Sequence, residues 1–336
     1  MTEETPTEAE RTEGTPEQRE TAAPSVAPAE EPVGATMPDR PKPAVLVAML
    51  LVGLLALLAF AVLGYQTFTA RLEAARKLDE ARTLVEEADE IVVDIDEVVR
   101  AKVEPSLAAR AEAAAEDVDK ADALLARAVS LTDQARPDLN DDEREQAALL
   151  RASATTRRAL LAIAPEILSA NAQSAAALTP ADEGWTALLE AEKLSDQAVK
   201  SYNKLTKAGV RTSRSLNRQA AEKLATAKER FEEAESAFEE APFEDYVAYL
   251  GVRIRLNKLS QSSDKAWLAD KFERANRVIR EYNKLDAKAV KLASALPASP
   301  DAAVATAYAR VADALTERYY AARDKALAAD RAFREY

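Results

Sequence analysis

The chain has 336 residues, with 58 acidic against 45 basic side chains, a net charge of −13, and neither His nor Cys. Without imidazole or thiol it lacks the usual general base, thiolate nucleophiles, thiolate zinc sites and disulfides. Net acidity also argues against nucleic acid as a partner, because a phosphate backbone calls for a net basic face.

Residues 1–42 open the chain as an acidic tail. Up to Asp39 it carries ten Asp or Glu, two Arg and eight Pro or Gly. Such a segment buries too little apolar surface to offset its ordering entropy, and disorder is the expectation. Thr5 and Thr15 each precede Pro among glutamates. Phosphorylation there would add charge that an Arg cluster reads, whereas the simpler expectation is a solubilising tail.

Residues 43–65 follow as an expected transmembrane helix. From Ala44 to Gly64 the chain runs without a charge. At about 1.5 Å per residue, a helix of that extent matches a hydrocarbon core of about 30 Å. A cleaved signal is the competing reading, with Arg40 and Lys42 as its basic start and Ala59-Phe60-Ala61 as its cleavage site. The long preceding segment, the length of the apolar run and the apolar Val62, Leu63 and Gly64 after that site favour a retained anchor. Arg40 and Lys42 abut its start, and no basic residue follows until Arg71. A cytoplasmic tail and an extracytoplasmic helical domain are therefore expected, although a wider window that takes in Arg76, Lys77 and Arg82 reverses the balance.

Beyond the anchor the sequence reads as all-α, an elongated antiparallel bundle or coiled coil of about five helices. From Tyr65 onward the only glycines are Gly184, Gly209 and Gly251, and no strand alternation appears. Residues 66–136 read as a coiled-coil stalk helix. Its seam alternates by three and four through Ala74, Leu78, Ala81, Val85, Ala88, Val92, Ile95 and Val99. It slips near Val103 and Leu107, then resumes through Ala111, Ala114, Val118, Ala121, Leu125 and Ala128. Pro105 is expected to kink or interrupt the helix at the slip.

Residues 137–336 read as an antiparallel bundle, with helices expected over 141–178, 180–241, 243–296 and 299–336. Asn140 with Glu143, Thr179 with Pro180, Pro242 with Glu244 and Asp245, and Ser299 with Pro300 supply start signals. Aromatic residues are absent from 71–184 and frequent afterwards, which predicts a bulkier C-terminal core. "YNKL" at Tyr202 and again at Tyr282 hints at an internal repeat.

Two charged groups stand out. Glu86, Glu90 and Asp94 stack at intervals of four, readable as a divalent-cation patch or as a solvated face, and the second is expected. Arg211, Arg214, Arg218, Arg253, Arg255 and Lys258 are expected to pair with acids on neighbouring helices. No catalytic, cofactor-binding or metal residue is expected. The functional expectation is a non-catalytic, single-pass scaffold or adaptor in the cell membrane. It would contact lipid through residues 44–64 and proteins, or itself, through helical faces, with no nucleic acid and no small-molecule substrate. The alternative is a membrane sensor whose bundle binds a small ligand.

Overall fold

The computed structural model describes residues 43–336, and side chains from residue 48. The expectations for the tail, residues 1–42, lie outside the described residues. The described residues contain eight α-helices and no strand: α1 Pro43–Val99, α2 Leu107–Ala135, α3 Asp141–Leu161, α4 Ala164–Tyr202, α5 Lys207–Ala237, α6 Phe243–Leu268, α7 Phe272–Ala293 and α8 Pro300–Glu335. The described residues divide into two units between Phe60 and Ala61, the second running from Ala61 to Tyr336.

In the first unit, the start of α1 is apolar on every side. The helical stretch Ala48–Val99 holds an 18-residue window of mean hydropathy 2.5, none of it buried, which is long and apolar enough to cross a membrane. Leu54, Leu55 and Phe60 are all exposed in the protein alone. An amphipathic helix would have turned one face inward, and this segment has no such face.

The second unit is a helical bundle. The seam from Ala74 to Val99 and from Ala111 to Ala128 is buried at each position named above. It does not belong to one long helix. α1 ends at Val99 and α2 returns antiparallel, so that Arg110 pairs with Glu97 at 2.8 Å and Arg127 pairs with Glu80. The partner face that the Ala-rich seam requires is thus supplied in part by the same seam after the slip. Pro105 lies in the reversal rather than at a kink, because its missing N–H and the preceding residue's aversion to helical backbone are tolerated in a turn. Asn171, fully buried on α4, donates from Nδ2 to the Val98 oxygen at 3.2 Å and satisfies a terminal carbonyl of α1.

The start signals succeed at three places. Asn140 and Glu143 form a reciprocal capping box, Pro242 immediately precedes α6, and Ser299 accepts from the Ala302 N–H at 3.2 Å. They fail at Pro180. α4 continues through it, with Ala177, Ala181 and Gly184 buried on one face. An interior proline costs about 3 kcal/mol, and that buried face holds the helix together across it. Gly184 permits the approach, since a Cβ there would lie 3.1 Å from the Phe231 ring. Three further breaks separate α3 from α4, α4 from α5 and α6 from α7, so the expected five helices become more numerous and shorter.

One apolar core collects the Ala74–Val99 part of α1 with α2, α3, the first half of α4 and Tyr319 of α8. Another collects the second half of α4 with α5, α6 and the start of α8. The aromatic residues concentrate in the latter, as expected. Phe231 stacks on Tyr246 at 4.6 Å, Trp185 meets Tyr246 edge-on at 6.1 Å, and Tyr246 donates to the Pro297 oxygen at 3.0 Å. Burial pushes the Tyr246 hydroxyl pKa up to about 12.

Candidate functional site

Sequence spacing singled out Glu86, Glu90 and Asp94, and all three are exposed on α1. Glu86 accepts from Arg82 Nε at 3.1 Å, an exposed pair worth a fraction of a kcal/mol. Besides Glu97, which pairs with Arg110 of α2, the acids on this stretch that meet other helices are Asp89 and Asp96, which the spacing argument did not separate from the rest.

Asp89 faces Arg157 of α3. The Arg157 guanidinium is buried and donates from Nη2 to Asp89 at 2.7 Å and to Asp330 of α8 at 2.8 Å, and from Nη1 to Ser153. Burial opposes its charge, but the two carboxylates outweigh that penalty and raise its pKa. Arg334 joins the group through Asp330 at 3.0 Å. Two turns further along α1, Asp96 accepts from Arg323 at 2.9 Å, Arg100 at 3.0 Å and the Tyr319 hydroxyl at 3.2 Å. Burial and the Asp96 charge push the Tyr319 pKa well above its ordinary value. Tyr308 completes the series by donating to Asn171 Oδ1 at 2.6 Å. These nodes tie α1, α3, α4 and α8 in one register.

Of the basic residues singled out on α5 and α6, Arg253 meets an acid of a neighbouring helix as expected and the others do not. Arg253 lies 3.7 Å from Glu192 and over the Tyr249 ring. Among the described residues, Arg211, Arg214, Arg218, Arg255 and Lys258 make no ion pair. Antiparallel packing sets the first half of α5 beside the second half of α6, where Ser213 meets Asp264.

The carboxylate between those halves is Asp264, 1% exposed. Its Oδ2 accepts from Ser213 at 3.0 Å and from Asn217 at 3.2 Å. Burial raises its pKa, while the two hydrogen bonds and the Arg214 charge act in the opposite sense. Beside it, Ser263 Oγ is buried with no hydrogen-bond partner. Both residues line a cavity of about 300 Å³ between α4, α5, α6 and α7. Sequence reasoning missed this site because its residues come from four separate helices and no spacing links them. A larger groove of about 820 Å³ lies between the α1–α2 reversal, the middle of α4 and the start of α8, and its charged lining is Glu104, Asp182, Glu183 and Asp301 against Lys102.

Comparison of this chain with family models, with curated proteins and with solved structures gives no match.

Proposed function

We propose that the protein is a single-pass membrane scaffold or adaptor. Residues 44–64 would cross the bilayer, the N-terminal tail would be cytoplasmic, and the helical bundle would stand outside to make protein or envelope contacts. The observation that carries this reading is the exposure of every large apolar side chain from Met49 to Phe60. Leaving that surface in water costs roughly 25 cal/mol per Å², and lipid removes the cost. Alkaline extraction tests it: the full chain should stay with the membrane and keep its native N-terminus. A mature protein beginning at Val62 and released into the soluble fraction would establish the signal-peptide reading instead.

The scaffold role is supported by the chemistry that is missing as well. With no His or Cys in the sequence, catalysis would fall to carboxylates, Lys, Tyr, Ser or Thr, and the polar nodes of α1, α3, α4 and α8 use theirs to hold helices together. A second reading, a membrane sensor that responds to a small molecule, is favoured by the Asp264 cavity. A scaffold gains nothing from a buried carboxylate that lacks a cation.

A further inference from the structure

The two "YNKL" segments have different secondary structure. Tyr202 closes α4 with Asn203 just beyond it, whereas Tyr282 and Asn283 lie inside α7. A structural repeat would have placed them alike. Yet both Tyr-Asn pairs line the same cavity, one before and one after Ser263 and Asp264 in sequence.

Three observations define what this cavity recognises. Asp264 is a buried carboxylate whose two hydrogen bonds both fall on Oδ2; among the described residues Oδ1 accepts none, and no Lys or Arg pairs with it. Desolvating an uncompensated carboxylate is expensive, and an ammonium placed against it removes that penalty. The Tyr202 and Tyr282 side chains, both partly buried, add aromatic surface suited to a cation. The segments that form the wall carry the opposite sign outside. Lys200, Lys204, Arg214, Lys265, Arg280 and Lys284 each lie within two residues of a lining residue and are exposed, against Glu281. The net positive charge of these segments disfavours approach of a purely cationic ligand and favours one that also carries a carboxylate.

The turns at this end of the bundle also hold backbone in the left-handed region, Leu205 at φ 51° and Asp270 at φ 57°. Lys207 joins the two turns by pairing with Asp270 at 3.0 Å. Strained residues of this kind persist where surrounding structure fixes them.

We propose that this cavity binds a small zwitterion, an α-amino acid, with its ammonium at Asp264 and its carboxylate toward the surrounding basic segments. The inference deepens the sensor reading by naming its ligand class, and it depends neither on the anchor nor on topology. Thermal shift and calorimetry on the purified full chain in detergent, with the proteinogenic L-amino acids at millimolar concentration, provide the test. At least one should raise the melting temperature, and Asp264→Asn should weaken its binding by about thirtyfold or more while remaining folded. N-acetylation of that amino acid should abolish binding, and Ser236→Cys, a substitution on an exposed face remote in sequence from the lining residues, should leave it unchanged. No shift from any amino acid, or binding that survives Asp264→Asn, overturns the proposal. Equal binding of the matching decarboxylated amine overturns the zwitterion assignment, as does stabilisation by glucose in place of an amino acid. Failure of binding with normal alkaline-resistant membrane retention would leave the scaffold reading standing and remove the sensor.

Discussion

Arg157 on α3 and Asp330 near the end of α8 meet at 2.8 Å across 173 residues of sequence. The same guanidinium nitrogen reaches Asp89 on α1 at 2.7 Å, so three helices converge on one buried charge. Removing it leaves both carboxylates with the exposed Arg334 as their remaining cation. Arg157→Ala should destabilise the bundle by about 3 kcal/mol, at the low end for a broken buried pair because Asp89 is partly solvated. Denaturant unfolding followed by far-UV circular dichroism measures this. Combining Arg157→Met with Asp89→Leu and Asp330→Leu should recover most of the loss, since apolar packing replaces such triads well.

The seam gives a second prediction. Ile95 is 1% exposed between Val92 and Val99. Ile95→Asp places an unpaired carboxylate in that core, and the cost should reach several kcal/mol. An unchanged melting curve would contradict the register of the α1–α2 hairpin.

Asp264 predicts a pH dependence. Its folded pKa is raised above the ordinary 3.8, chiefly by burial. The folded state therefore holds its proton more tightly than the unfolded chain. The contribution of this group to stability is fully present below pH 3.8 and falls away as pH rises through the folded pKa. Asp264→Asn keeps an acceptor for Ser213 and Asn217 but carries no charge. It should raise the melting temperature at pH 7 and lose that advantage in acid. A variant less stable than the parent at pH 7 would contradict the account of an uncompensated carboxylate.

Gly209 offers a steric test at the α4–α5 turn. A Cβ there would stand 2.5 Å from the Ser201 carbonyl oxygen, a backbone atom that cannot swing aside. Gly209→Ala should cost about 1–3 kcal/mol despite the helix propensity of Ala. At Gly251, where nothing lies within 4 Å of the Cβ position, the same change should stabilise the protein.

The helical class and the buried seam were legible in the sequence because side chains repeat at the helical period and burial follows the repeat. Caps at Asn140 and Ser299 were legible because one side chain satisfies one local N–H. The reversal at residues 100–106 was visible only as a slip in register, since an interrupted helix and a hairpin share that signal. Pro180 misled because its position in α4 depends on packing against α5, where Phe231 closes on Gly184, and no local signal reports a contact between helices. The break at Leu205 carries no Gly or Pro. The Asp264 cavity left no local trace at all beyond the two Tyr-Asn pairs, whose convergence is a product of tertiary packing.

The absence of Cys from the chain makes the central claim, a retained anchor with the bundle outside, directly measurable. Single cysteines can be placed at Ser25→Cys in the tail and at Ser236→Cys on the exposed face of α5. On intact cells a membrane-impermeant maleimide should label Ser236→Cys in the membrane fraction, and should reach Ser25→Cys only after permeabilisation. The opposite pattern would invert the topology, and a labelled bundle recovered in the soluble fraction without residues 1–61 would contradict the anchor itself.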